Sequence, residues 1–218
     1  MKSKLLLLAT LLALTAARVC PAVPGTTSVS WSGSQPIPDN NASGYAFAFN
    51  LTAGGPLVIT NVTVNLTIAG GWNGDLYAYL SHGSGFSVLL NRLGRTSSNP
   101  DGSGLSGLNV EFSDSYLTDI HTYTGSPLTG NFAPDGRNVN PFTSLDTSPR
   151  SAFLSSLNGQ DPNGGWTLFF ADLSPLATST IQSWTVNVAT TVPEPGSATL
   201  LGLVLVAGAA RRFGKIRR

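Results

Sequence analysis

The two histidines are the residues of this chain best suited to acid–base chemistry. His82 and His121 both lie in stretches rich in small polar residues and glycine, which predict loops. A serine hydrolase needs a histidine that accepts the serine proton and a carboxylate that orients the ring. Asp114 and Asp119 precede His121, but residues so near in sequence seldom provide triad geometry. The sequence therefore favours exposed loop positions for both histidines and predicts no catalytic residue.

Metal chemistry is limited to oxygen ligands. The two histidines are far apart and the only cysteine is Cys20, so the spacing argues against a zinc site. Asp75 and Asp172 are calcium candidates, because calcium accepts carboxylate and backbone carbonyl oxygens. The favoured alternative is that each aspartate caps a turn or a strand end through the nearby backbone. No other cofactor is expected.

Three aromatic residues could contact a ligand directly. Trp72, Tyr77 and Tyr79 have rings able to stack on sugars. Packing against a neighbouring sheet is the more common role of such residues and is favoured.

Short strands must position these side chains. From Val62 to Ile68 apolar residues alternate with Thr and Asn, the period of a strand with one buried face. About 170 residues remain between the two ends of the chain, enough for one domain with a full core. No segment of this body keeps an apolar 3.6-residue period over three turns, so we predict an all-β, jelly-roll-like β-sandwich. The other predicted strands are 45–51, 75–80, 86–90, 109–112, 166–173 and 181–189.

The connections between these strands are predicted from turn residues. Residues 81–85 predict a five-residue hairpin connection, and residues 92–108 and 113–149 predict long loops. Residues 151–157 fit either a short strand or one helical turn. Residues 23–34 are small and polar and predict a loose lead-in, which Trp31 attaches to the sheet.

The N-terminal segment has the composition of an export signal. Lys2 and Lys4 precede an apolar stretch from Leu5 to Leu14 and then small residues, so residues 1–22 predict a signal peptide. Cleavage after Ala17 and cleavage after Ala22 both fit this pattern. With Cys20 as the single cysteine, no intrachain disulfide is possible, and the exported body must be stable through its core.

The charge of the body argues against nucleic acid. Between Val23 and Val192 four arginines face ten acidic residues, a net charge of −6. Phosphate binding requires clustered Lys and Arg, so we expect no nucleic-acid partner.

The C-terminal segment, residues 190–218, combines three features of a sorting signal. Pro193, Glu194 and Pro195 precede an apolar run from 198 to 210, and five basic residues follow, Arg211 and Arg212 first. The run is short for a bilayer, whose core needs about 20 residues, and the basic end is typical of the cytoplasmic side. This pattern resembles the PEP-CTERM signal of exported bacterial proteins. The resemblance implies a short hydrophobic helix, membrane attachment and cleavage by an exosortase near Pro-Glu-Pro.

Several motifs of the body occur in the order of a second known family. They are Ile37-Pro38-Asp39, Gly74-Asp75-Leu76, Leu80 to Gly85, Asn163 to Leu168 with Asp172, and Ile181 to Val186. Residues 35–189 thus resemble the P/Homo B domain, a jelly-roll sandwich that accompanies subtilisin-like proprotein convertases. His82 stands where the family usually has proline, and Ser179 where it usually has glycine.

The sequence predicts an exported, non-enzymatic bacterial surface or extracellular-matrix protein. In this interpretation the chain is transiently membrane-anchored through its tail and then processed by an exosortase. An alternative is an accessory module that supports a separate serine protease. Another is a carbohydrate-binding sandwich whose partner is a polysaccharide.

Overall fold

Nine strands arranged in two sheets form the framework of the described residues. The computed structural model describes residues 25–193 of the 218-residue chain. Three short 3-10 turns, Asn73–Asp75, Ile120–Thr122 and Leu154–Leu157, are the helical elements of this region. The strands are β1 Gly25–Pro36, β2 Asn41–Leu51, β3 Val58–Gly70, β4 Leu76–His82, β5 Gly85–Asn91, β6 Leu108–Phe112, β7 Thr129–Phe132, β8 Gly164–Asp172 and β9 Ser179–Thr191.

The two sheets share one core. The five-stranded sheet has the order β1-β9-β3-β6-β7 and the four-stranded sheet the order β2-β8-β4-β5. Alternate apolar side chains of both sheets form a single buried cluster, as in a sandwich whose inner faces interdigitate. The predicted all-β sandwich is confirmed. The predicted signal peptide and the predicted C-terminal hydrophobic helix lie outside the described residues.

Strand β3 shows how the alternation creates the core. Val62, Val64, Leu66 and Ile68 are at most 2% exposed. The threonines and asparagines between them point to the other face of the sheet, as the period of two requires. Strand β9 repeats this pattern with the predicted inward residues Trp184, Val186 and Val188, which are all buried.

The predicted loose lead-in, residues 23–34, is wrong over its described part, because β1 is a twelve-residue strand. Strand β1 lies at the sheet edge and pairs only with β9. Backbone hydrogen bonds to β9 hold this strand in place, so its sequence needs no run of apolar side chains. The expected role of Trp31 is confirmed, since its ring centroid lies 4.8 Å from that of Phe47.

Two connections differ from the prediction. The β4–β5 hairpin is tighter than expected: His82 pairs with Gly85, so Gly83 and Ser84 alone form the turn, and Gly83 has a φ of +55°. The segment predicted as irregular loops after Ser113 contains β7, which pairs in parallel with β6. Of the two alternatives for residues 151–157, the helical turn is correct.

Candidate functional site

His121 lies at the centre of a buried ionic cluster. Its side chain is fully buried, and Nδ1 lies 2.8 Å from Oδ2 of Asp135. Nε2, the second ring nitrogen, lies 3.1 Å from the backbone oxygen of Arg95. Both nitrogens of the ring therefore face oxygen atoms of the protein.

Arg137 extends this cluster toward the loop that follows β7. Its guanidinium contacts Oδ2 of Asp119 at 2.9 Å and Oδ1 of Asp135 at 3.3 Å. Burial alone lowers the pKa of Arg137, but hydrogen bonds and charges from these two carboxylates raise it above its ordinary value. The same side chain donates to the backbone oxygens of Leu145 and Asp146. The cluster thereby holds a long irregular loop against the edge of the four-stranded sheet.

The exposed loop position predicted for His121 is wrong, and the conceivable catalytic triad is not assembled. Asp119 accepts a hydrogen bond from the backbone N–H of His121, not from its ring. Asp114 instead accepts from the backbone of Leu154 and Ser155. The backbone oxygen of Arg95 occupies the direction from which Nε2 would accept a serine proton. The sequence missed Asp135, because a pairing across fourteen residues of irregular chain leaves no periodic signal.

His82 is also buried, against the exposed position predicted for it. Its ring stacks on Trp166 with a centroid separation of 4.2 Å and an interplanar angle of 4°. Nδ1 lies 2.9 Å from the backbone oxygen of Gly165 and Nε2 2.7 Å from that of Asp161. His82 thus attaches the hairpin to the turn that begins β8, a structural role.

Asp75 and Asp172 lie side by side at one end of the four-stranded sheet. Leu76 pairs with Asp172 across β4 and β8, and the N–H of Leu173 donates to the backbone oxygen of Asp75 at 2.9 Å. Burial raises the pKa of Asp172 to about 6, and Asp75 contributes to the rise. Burial also raises the pKa of Asp75, against the opposing effect of Arg92.

The fit of this pair to calcium is partial. The Oδ2 atoms of both aspartates are buried without a hydrogen-bond partner, as expected for oxygens that face a cation. However, Arg92 already brings a guanidinium within 3.6 Å of Oδ1 of Asp75. Residues 25–193 contain no group of three or more acidic, histidine or cysteine side chains arranged to hold a metal. The predicted cap fits Asp172, which accepts from the N–H of Ser174 at 3.4 Å. The calcium assignment remains a prediction.

Four aromatic rings lie together on the outer face of the four-stranded sheet. Tyr79 of β4 is directly opposite Phe169 of β8, and their rings stack at 4.9 Å and 18°. Phe86 of β5 lies 5.0 Å from Tyr79 on one side, and Tyr77 lies 6.4 Å from Phe169 on the other. Burial among these rings raises the pKa of Tyr77 to about 12. We call Tyr77, Tyr79, Phe86 and Phe169 the aromatic ladder.

The favoured prediction for Tyr77 and Tyr79, packing against the other sheet, is wrong. Leu76, Ala78 and Leu80 of the same strand point into the core, so the two tyrosines point away from it. Both are half-buried, because each is covered by its neighbours in the ladder. Trp72, the third candidate, is 45% exposed and precedes the 3-10 turn before β4.

The predicted sorting motif begins just after the last strand. Strand β9 ends at Thr191, and the next two residues, Val192 and Pro193, are exposed. Glu194, Pro195, Arg211 and Arg212 lie outside the described residues. Within residues 25–193, no helix is long and apolar enough to cross a membrane.

The chain has distant structural similarity to a protein of known structure. No family model matches the chain, and no curated protein matches it. The chain is similar in structure to a chain of the crystal structure of the aeromonas sobria serine protease (ASP) and chaperone (ORF2) complex. The two are 15% identical with a TM-score of 0.43 over 84% of this chain. The alignment spans 29% of the other chain, less than a third of its length.

Proposed function

We propose that this chain is an exported, non-enzymatic bacterial surface or extracellular-matrix protein with a P/Homo B-like body. In this proposal the C-terminal segment attaches the chain to the membrane, and an exosortase-like peptidase cuts it near Pro193-Glu194-Pro195. The body then remains at the cell surface or in the matrix.

The position of the last strand is the observation that carries this proposal. Gly25 pairs with Thr190, so the first and last strands of the body lie side by side. The backbone leaves the sheet after Thr191, and Val192 is 41% exposed. Exposed, extended termini are preferred sites of proteolysis, and proline keeps such a segment extended. A cut at Pro-Glu-Pro would therefore remove no strand and no core side chain of the body.

The positions of the P/Homo B-like motifs in the fold support the proposed P/Homo B-like body. The Gly74-Asp75-Leu76 motif enters β4 next to the end of β8. Trp166 and Trp184, from the two tryptophan motifs, belong to opposite sheets. Phe49 bridges them, with ring centroids 6.3 Å from Trp166 and 4.9 Å from Trp184. The motifs thus supply the centre of the core, which suits a body stabilised without a disulfide.

We propose no catalytic role for the two histidines, because of the atoms that surround their rings. Each ring is buried, and both nitrogens of each ring face protein oxygen atoms. A general base must be within reach of a substrate proton. The buried positions of His82 and His121 are explained by structural roles and require no catalytic role.

Intact-mass spectrometry of the exported protein tests the proposal. In a host that encodes an exosortase, we expect a mature chain that ends close to Pro193-Glu194-Pro195 and lacks Arg211 and Arg212. Replacing the three motif residues with alanine should leave the tail attached. Replacing Pro175, an exposed proline of a body loop, is the matched control and should not affect processing. A protein outside the cytoplasm that still ends at Arg218 would contradict the proposal.

A further inference from the structure

Four segments of the body have the pattern of an N-glycosylation acceptor, Asn-x-Ser/Thr with x other than proline. We call each such segment a sequon. The pattern alone does not separate a modified asparagine from a chance occurrence in a chain this rich in Asn, Ser and Thr. Exposure separates the four, because the modifying enzyme must reach all three residues of its acceptor. The asparagines are Asn41, Asn50, Asn61 and Asn65.

Three of the four sequons are built into the core. Their middle residues, Leu51, Val62 and Leu66, are each 1% exposed. A transferase could enclose these segments only after local unfolding of β2 or β3. In addition, Nδ2 of Asn65 donates to Oε2 of Glu111 at 2.9 Å, so this nitrogen is already engaged. These three sequons are therefore poor acceptors in the folded protein.

The fourth sequon lies at the start of an edge strand. Asn41, Ala42 and Ser43 are all exposed, and β2 pairs only with β8. The pairing between β2 and β8 is interrupted after Asn41 and resumes at Tyr45. Residues 42–44 are opposite a single residue of β8, so they form a β-bulge. A transferase can therefore reach this sequon without opening the core.

The conformation of this bulge favours reaction at the asparagine side chain. The backbone N–H of Ser43 donates to Oδ1 of Asn41 at 2.9 Å, which is the hydrogen bond of an Asx turn. This bond withdraws electron density from the amide, so the protons on Nδ2 become more acidic. The same turn holds the serine of the sequon next to the amide.

The acidic residue before this sequon adds to the match. Asp39 is two positions before Asn41, where bacterial oligosaccharyltransferases favour an acidic residue, and it is exposed. Its Oδ2 atom accepts a hydrogen bond from the N–H of Leu176 at 3.3 Å, which holds the turn before β2 in place. The residues two positions before the other three asparagines are uncharged: Ala48, Ile59 and Thr63.

We propose that Asn41 is the N-glycosylation site of the exported protein, and that the donor is an oligosaccharide carried on a polyprenyl diphosphate. In the transfer, Nδ2 of Asn41 loses one proton to a base of the transferase and forms a bond to the anomeric carbon of the sugar. The bond from that carbon to the diphosphate oxygen breaks, and the polyprenyl diphosphate leaves with the electron pair. The inference rests on the export in the proposed function, because this transfer takes place outside the cytoplasm.

A glycan at Asn41 is compatible with the proposed processing. Strand β1 ends at Pro36, opposite Thr180, and β2 begins five residues later. The proposed cut follows Thr191, at the other end of the thirteen-residue strand β9. At about 3.3 Å per residue, the two ends of β9 are roughly 40 Å apart. The transferase and the exosortase thus act at opposite ends of the body.

In vitro transfer to the folded full chain tests this inference. The purified protein is incubated in detergent with a bacterial oligosaccharyltransferase and a polyprenyl-diphosphate-linked oligosaccharide of known mass. Intact-mass spectrometry and peptide sequencing then count and locate the glycans. We expect one glycan, on Asn41. Asn41→Gln and Ser43→Ala should each abolish the transfer, whereas Ser43→Thr, which keeps the hydroxyl, should retain it.

Two further variants separate the acceptor from its surroundings. Asn50→Gln removes the other sequon of β2 and is the matched control, which should leave the transfer unchanged. Asp39→Asn removes the charge but keeps an oxygen for the N–H of Leu176, and most of the transfer should be lost. Thermal melting of each variant confirms that it is folded.

The outcomes distinguish the inference from the proposed function. An unmodified Asn41, or a glycan on Asn50, Asn61 or Asn65 in its place, overturns the inference. Transfer that persists in Ser43→Ala also overturns it. So does a protein that is exported from a host with an oligosaccharyltransferase, cut near Pro193 and unmodified at Asn41, and this result leaves the proposed function intact. A chain that is glycosylated on Asn41 but never cut overturns only the proposed function.

Discussion

Replacing Asp172 with asparagine should stabilise the protein at neutral pH. Asp172 is fully buried, and its Oδ2 atom has no hydrogen-bond partner. Arg92 is the nearby cation, and Asp75 already forms an ion pair with it at 3.6 Å. A second buried carboxylate is therefore in excess of the positive charge. The variant removes that charge and leaves the Asp75–Arg92 pair balanced.

The size of this effect follows from the pKa of Asp172. Burial raises that pKa from 3.8 to about 6, and one pKa unit corresponds to about 1.36 kcal/mol. The ionised carboxylate therefore costs about 2–3 kcal/mol of the free energy of unfolding at pH 7. The new amide N–H must also find an acceptor, which offsets part of this gain. We expect Asp172→Asn to raise the free energy of unfolding by about 1–2 kcal/mol at pH 7.

The pH dependence provides the more specific signature. Because the folded protein holds the Asp172 proton more tightly than the unfolded chain does, this group stabilises the fold as the pH falls. Its contribution to the free energy of unfolding increases as the pH falls from 7, past the folded-state pKa of about 6, toward the ordinary pKa of 3.8. The advantage of the variant should therefore be largest at pH 7 and vanish near pH 4.

Urea unfolding at pH 7 and pH 4 measures both effects. Asp146→Asn, at an exposed carboxylate, is the matched control and should change stability little at either pH. A variant less stable than the wild type at pH 7 without divalent cations would refute the reasoning. If calcium raises the melting temperature of the wild type and not of Asp172→Asn, the two carboxylates bind the metal and the account of an uncompensated charge is wrong.

Two other substitutions test the packing around the candidate sites. Asp135→Ala should destabilise the fold by about 3–5 kcal/mol, because His121 and Arg137 then lose their buried carboxylate. Urea unfolding measures the loss of stability. A loss no larger than that of Asp146→Ala would contradict this prediction. Gly44→Ala should lower the melting temperature, since its Cβ would meet both the ring of Phe169 and the backbone oxygen of Phe170 at a positive φ. Gly54→Ala is the control, because Gly54 has a similar φ of +67° but no atom within 4 Å of an added Cβ. If both substitutions lower the melting temperature equally, the loss of stability comes from backbone strain and not from the contacts with Phe169 and Phe170.

The sequence predicted the strands whose burial follows a simple period. Residues 62–68 alternate apolar and polar side chains, and this segment forms the middle of β3 with the expected buried face. Strand β1 escaped prediction because its pairing with β9 depends on backbone groups and distant residues, which small polar side chains do not reveal. The parallel strand β7 escaped for the same reason: its four residues gain order only from β6.

The candidate sites were predictable only in part, because their partners are remote in sequence. The predicted neighbours Asp75 and Asp172 do meet, across two strands that the sequence placed correctly. His82 and His121 lie in segments that read as loops, and they are buried through contacts with Trp166 and Asp135. The direction of Tyr77 and Tyr79 follows from the alternation with Leu76, Ala78 and Leu80, a signal present in the sequence.

Folding of residues 24–193 alone tests the central claim most directly, since a body released at Pro-Glu-Pro must stay folded without its tail or a disulfide. This fragment lacks Cys20 and every residue of the apolar run. We expect a β-type far-ultraviolet circular dichroism spectrum and a single cooperative thermal transition. A helical or coil spectrum, or the absence of a cooperative transition, would contradict it.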